Sequence, residues 1–338
     1  MTTLTTGDMA QTYLLRRQNT DLKTALNRLT QEMGSGQQSD LARATSGDLR
    51  TLAGIDHSLA TLASYKTAAS EAELFATTLQ SALDTTQTVA ADVAPSLVQA
   101  GTTGDPTQVR ATAFDARQRL FSAASALNVR AGDRYALSGD AIDHPPLSGA
   151  QDILDGLMTA TAGQITVSGV TAAVDAWFNA PSGRGGLLDT VYGGSAVPLA
   201  PFRIGPGEQA SVTLTAADPT LRATLKGLAL AALVAEGALA GDQAGQAGLL
   251  QNAGQDLLAA NSDLAGLRGN LGSVEGQIAD VQTRNNATST ALQVTRGGIT
   301  AADPYETANA LEATQTQLET LYTLTARLSR LSLADFLR

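Results

Sequence analysis

The chain has 338 residues, of which 43% are hydrophobic but only 4% aromatic, and its formal net charge is −10. The length exceeds what one compact core usually uses, and the acidic balance excludes a nucleic-acid binder, which needs a basic patch to displace counterions. There is no cysteine, which excludes disulfides, thiolate chemistry and sulfur-ligated metals.

The first residues, Met1-Thr2-Thr3-Leu4, offer neither a basic nor an apolar leader region, so no cleaved signal peptide is expected. Leu15, Asn19, Leu22, Leu26, Leu29 and Met33 then follow at alternating heptad spacing. Gly34-Ser35-Gly36 ends that helix in a turn. A long helical segment is expected from about Leu41 to Val98, with Pro95 near its end and a turn at Gly101-Thr102-Thr103-Gly104. Leu52, Ile55, Leu59 and Leu62 begin its stripe. After a one-residue slip, Tyr65, Ala69, Ala72, Ala76, Leu79 and Leu83 continue it.

Asp105-Pro106 is a helix start, because Asp can cap free amides and Pro suits the first helical position. Val109, Ala113, Ala116, Leu120, Ala124 and Leu127 form the stripe behind it, and an end near Gly132 is expected. From Asp143 to Pro219 the character changes, and seven of the ten prolines fall there. Ile153, Leu154 and Leu157, then Val170, Val174, Trp177 and Phe178, suggest short helices. Phe202 to Ile204 and Ser211 to Thr215 read as strands.

Asp218-Pro219 repeats the start signal before an apolar helix, Leu221 to Leu239. No stretch is apolar for long enough to span a membrane. A Gly- and Gln-rich helix is expected from about Gly245 to Arg296, with Gly297-Gly298 turning the chain. Asp303-Pro304-Tyr305-Glu306 opens the last helix, where Leu311, Thr314, Leu318, Leu321, Thr325 and Leu328 make a second heptad seam. Leu324 and Leu331 widen it, and the chain closes with Leu333, Phe336 and Leu337.

The expected fold is mainly α: a long antiparallel helical bundle or coiled coil formed by both chain ends, with a small inserted mixed α/β domain. The helical domain takes residues 1–142 plus 220–338, and the insertion takes 143–219. Apolar stripes that run to both ends must pack on something, in this chain or in another copy.

No constellation for catalysis emerges, so no enzyme, cofactor or metal is expected. His57 and His144 lack ligand spacing. Gly183-Arg184-Gly185-Gly186 lacks the strand, lysine and helix of a phosphate loop. Asn286-Ala287-Thr288 fits a glycosylation pattern but falls inside an expected helix.

Two stretches carry a family resemblance. Ala131-Gly132-Asp133-Arg134-Tyr135-Ala136-Leu137-Ser138-Gly139 resembles the "GRYLFSG" strand of the flagellar hook-associated protein 3 family, within the flagellin superfamily. Leu318 to Tyr322 and Arg327 to Leu337 resemble its C-terminal signature. The likeness covers roughly residues 1–140 and 245–338. Asp133 interrupts the Gly-Arg pair, Ala136 replaces a larger residue, and Ser39-Asp40-Leu41-Ala42 keeps half of the family's Ser-Asp-Asp-Pro.

The resemblance implies an extracellular axial protein of the bacterial flagellum. It would leave the cell unfolded through the type III export apparatus, with a flagellar export chaperone, and assemble with itself as a ring joining hook-associated protein 1 to flagellin. Terminal helices 1–33 and 304–338 would form the innermost part of the assembly. The implied interface is Leu15, Leu22, Leu26, Leu29 and Met33 with Leu311, Leu318, Leu321, Leu328, Leu331, Leu333, Phe336 and Leu337. The alternatives are flagellin itself and, from another class, a type III secretion tip or other helical adaptor that stays a folded monomer.

Overall fold

The computed structural model describes residues 6–336, with side chains described for 9–328 except at position 44. Helix α1, Thr6–Ser35, stops where Gly36 takes φ +66°, and the Gly36 amide donates to the Glu32 carbonyl at 2.9 Å. The segment expected as one helix from Leu41 is interrupted. Helix α2, Leu41–Ala44, is a single turn capped by Asp40, which accepts from the Arg43 amide at 3.1 Å. Ser46 and Gly47 then adopt left-handed backbone, and Asp48 accepts the Arg50 amide and pairs with its guanidinium at 2.9 Å. The Arg50 side chain lowers the Asp48 pKa below the usual carboxylate range.

Helix α3, Arg50–Thr103, runs through Pro95 and through Gly101, where a turn was expected. It ends only at Gly104, which takes φ +65°. Helix α4, Pro106–Leu127, starts as its sequence predicts, with the Asp105 carboxylate accepting the Thr107 and Gln108 amides at 2.9 Å each. It ends before the expected Gly132, because residues 130–135 form a hairpin of β1, Arg130–Ala131, and β2, Arg134–Tyr135. Gly132 at φ +65° opens the two-residue turn and Asp133 completes it.

Residues 143–219 hold α5, Ala150–Ala160, α6, Val167–Asn179, and α7, Leu187–Thr190, followed by β3, Phe202–Gly205, and β4, Glu208–Ala210. The second strand falls before the expected 211–215, because Gly207 at φ +75° closes a tight turn and pairing begins at once. Trp177 packs here against Gly156, where a Cβ would come within 2.6 Å of the indole, and stands edge-on to Phe178 at 5.1 Å.

Helix α8, Pro219–Ala235, is capped by Asp218, which accepts the Thr220 amide at 2.8 Å. It is buried on nearly every side and packs on α4, α5 and α6. Helix α9, Gln243–Thr300, contains Gly297 and Gly298 rather than turning at them. The turn follows at Ala301 to Asp303, before α10, Pro304–Phe336. Asp303 accepts the Tyr305 and Glu306 amides at 2.8 and 3.1 Å.

The chain forms a mainly α bundle with two small antiparallel sheets. It divides into two compact units, one of residues 1–61 with 287–338 and one of residues 62–286. The segment 143–219 lies wholly inside the second unit, and the division between the units falls within α3 and α9. None of the helices among the described residues is long and apolar enough to cross a membrane.

In the second unit, Lys226 of α8 reaches Asp175 of α6 at 2.7 Å and Asp256 of α9 at 2.9 Å. Burial depresses the lysine pKa, but the two carboxylates outweigh it and hold it above its ordinary value. Two glycines bring α3 and α9 together. A Cβ on Gly254 would lie 2.7 Å from Val98 Cγ2 and 2.9 Å from the Ala94 carbonyl oxygen, and Gly101 meets Gln251 in the same way. Gly266, also on α9, has open space around it.

The two kinds of glycine give opposite expectations. Gly→Ala in a helix normally stabilises by about 0.5–1 kcal/mol. Gly266→Ala should show that gain in urea unfolding of the chain. Gly254→Ala should instead destabilise, because overpacking costs about 1–3 kcal/mol. Equal stabilisation by both would refute the close approach.

Candidate assembly interface

The terminal helices α1 and α10 pack on each other, and the turn between α9 and α10 fixes their geometry. Gln37 and Ala301 form an antiparallel bridge. The Gln38 amide donates to the Thr300 carbonyl at 2.8 Å, and the Ala302 amide donates to the Gly36 carbonyl at 3.0 Å. The end of α1 is thereby tied to the start of α10, and the two run antiparallel.

Glu32 closes the corner. Its side chain is buried, accepts from Arg28 at 3.0 Å and also accepts the Ser39 amide at 3.0 Å. One carboxylate thus fixes both the last turn of α1 and the loop that follows. No apolar pattern singles out Glu32. Its sequence signals are an Arg four residues earlier and the Gly turn just after it.

The seam itself is unevenly covered. Leu29 and Leu321 are buried, at 6% and 5% exposure. Leu15, Leu22, Leu26, Leu311 and Leu318 are half-buried, and Leu328 is exposed. Met33 leaves the seam: it is 46% exposed, because the helix face at this height presents Glu32 instead. Leu324, expected to widen the seam, is exposed. The side chains of Leu331, Leu333 and Phe336, and all of Leu337, lie outside the described residues.

Thr307 and Thr314 are buried in the seam. Each hydroxyl donates to the carbonyl four residues earlier, Asp303 and Ala310 respectively, at 2.7 Å. The polar atom is satisfied within the helix, which leaves the methyl group for packing. Away from the seam, Met9, Tyr13 and Leu14 of α1 are exposed, as are Tyr305 and Tyr322 of α10. Two helices side by side can shield only one strip on each, so this pair presents apolar side chains to any further helix.

Neither histidine is placed for chemistry: His57 and His144 are both exposed. Among the described residues no group of three or more His, Asp or Glu could hold a metal ion. The Gly183 to Gly186 loop is occupied by the protein's own Asp189, which accepts the Gly183 and Gly185 amides at 2.8 and 2.6 Å. Those amides lower the Asp189 pKa.

Residues 255–337 match the model of the bacterial flagellin C-terminal helical region. The match takes in most of α9 and the described length of α10. No curated protein matches the chain. The likeness to flagellins rests on this C-terminal stretch, 83 of the chain's 338 residues.

The Glu32 corner can be tested directly. Glu32→Ala removes the acceptor of the Ser39 amide and of the Arg28 guanidinium, a loss of about 0.5–1.5 kcal/mol per hydrogen bond because water can reach both donors. Hydrogen exchange at residues 36–39 should accelerate while exchange in α8 stays unchanged. Unaltered protection at 36–39 would show that the carboxylate does not hold the turn.

Proposed function

We propose that this flagellin-superfamily chain is the hook–filament junction protein, assembling as a ring between hook-associated protein 1 and flagellin. One observation carries the axial role: the C-terminal match coincides with a helix that pairs with the chain's own N-terminal helix and leaves the shared seam half-covered. Burying that seam requires neighbours, and repeated contacts between copies build rings or helical tubes. The junction assignment rests on the likeness of Ala131 to Gly139, and of Leu318 to Tyr322 with Arg327 to Leu337, to the hook-associated protein 3 family.

On this reading the terminal helices 1–33 and 304–338 are the innermost part of the assembly, and the chain is exported through the type III apparatus with a chaperone. A second reading, the filament subunit, is favoured by the matched model itself, which describes flagellin.

Antibody raised against residues 143–219 and visualised by immunogold electron microscopy on intact flagella separates the two. A single band where hook meets filament is expected. Label along the filament would make the chain a flagellin, and no label on any flagellum would remove the axial role.

The contact surface has its own test. Deleting Leu331 to Arg338 should leave a soluble, exported chain that fails to incorporate into flagella. Normal incorporation of the truncated chain would remove this end from the interface.

A further inference from the structure

The second compact unit carries two rows of opposite charge on neighbouring helices; in the first, Arg110 and Phe114 are exposed while Arg117 and Phe121 are half-buried. On α4, Arg110, Phe114, Arg117 and Phe121 recur at spacings that put them on one side of the helix, away from the buried Val109, Ala113 and Ala116. Phe114 is 58% exposed. Arg117 lies over the Phe121 ring at 5.0 Å and is held by Glu236 at 2.6 Å. Arg110 donates to the Pro106 carbonyl at 3.1 Å, and among the described residues it meets no carboxylate. The neighbouring Asp115 is engaged by Arg119 at 3.6 Å.

On α5, Asp152, Asp155 and Met158 are all exposed, opposite the buried Ile153, Leu154 and Leu157. Asp155 accepts from Gln151 at 2.9 Å, and among the described residues neither aspartate forms an ion pair. The two rows adjoin, since Arg117 donates to Gln151 at 3.2 Å.

We propose that the α4 row is a docking surface for the α5 row of a second copy of this chain. The proposal rests on the axial reading only for the choice of a copy as partner. Charge complementarity supports that choice. Two chains of net charge −10 repel unless cationic and acidic surfaces are opposed, and the unpaired Arg110 faces a partner with two unpaired aspartates. The apolar halves match too, because a thioether against an aromatic ring is a favourable contact. The exposed part of the α4 row, Arg110 to Phe114, spans about 6 Å of helix, against about 9 Å for Asp152 to Met158. Exposed arginine and aromatic side chains are also the types enriched at interface centres. Each copy presents one row of each sign, so the contact can be repeated from copy to copy, as a ring or tube requires.

The absence of native cysteine makes the test clean. Phe114→Cys and Met158→Cys are introduced into separate full-length chains with tags of different size. They are mixed as purified proteins, and they are also co-expressed and recovered from flagella. The expected product under mild oxidation is a mixed disulfide-linked dimer. Adding Arg110→Glu to the first chain should cut its yield about twofold to fivefold, the effect of losing one exposed charge pair. Adding Asp152→Arg and Asp155→Arg to the second should restore it.

Mixed dimer no more abundant than for a Gly266→Cys control paired with Met158→Cys overturns the proposal, as does indifference to Arg110→Glu. Immunolabelled flagella without the mixed dimer would defeat this contact and leave the axial role standing. Mixed dimer from purified chains that never reach a flagellum would establish the contact and defeat the axial role.

Discussion

The constraint on which the first unit depends is that two antiparallel helices cannot cover one another. Each can bury a single strip, and on α1 and α10 that strip closes fully only at a few positions, among them Leu29, Thr307, Thr314 and Leu321. Elsewhere along the seam the leucines stay half-exposed. Isolated helices of this kind owe most of their stability to packing rather than to propensity. The corner between Gly36 and Ala302 therefore does more than connect: it sets the register from which every other seam contact follows. The side-chain choices leave a seam that could also meet other helices, as the proposed assembly requires. Leucine and the threonine methyl groups fill it, and the threonine hydroxyls make no demand on a partner.

The second unit solves a different problem with similar residues. With so few aromatic side chains, its core is made of Ala, Leu and Val, and close approach replaces bulk. Gly101 and Gly254 bring α3 and α9 together, and Gly227 meets Leu257 in the same manner between α8 and α9. Helix α8 can be apolar on nearly every side because α4, α5 and α6 enclose it. Two cations enter this region from α8: Lys226 arrives with two carboxylates, and Arg222 donates to the Phe178 carbonyl at 2.8 Å.

What the sequence reveals of this fold follows the range of the forces involved. The three Asp-Pro starts at 105, 218 and 303 are read correctly because capping is decided within three residues. The misreadings come where packing overrides local preference. Gly297 and Gly298 remain helical, and α3 continues through Gly101, where a turn was expected. The break between α2 and α3 has the opposite origin: Ser46 is in left-handed backbone, and the Asp48–Arg50 pair that follows carries no hydrophobic signal. Much of the seam was legible as heptads. Its most constrained residue was not, because Glu32 acts through hydrogen bonds to a loop that periodicity cannot see.

Charge is unevenly distributed along this acidic chain, and the proposed association of its terminal helices is compatible with that distribution. Helix α1 holds four basic and three acidic residues, and α10 holds two basic and four acidic, so the pair accounts for one of the ten net negative charges. The bulk of the repulsion resides between them in sequence. Like charges separated by more than about 8–10 Å are largely screened at physiological ionic strength. Apolar contact along nearly neutral terminal helices therefore meets little electrostatic opposition, while the remaining acidic surface discourages indiscriminate association. A surface of this kind is sticky along one line and repellent elsewhere, which is the physical requirement for ordered growth rather than aggregation.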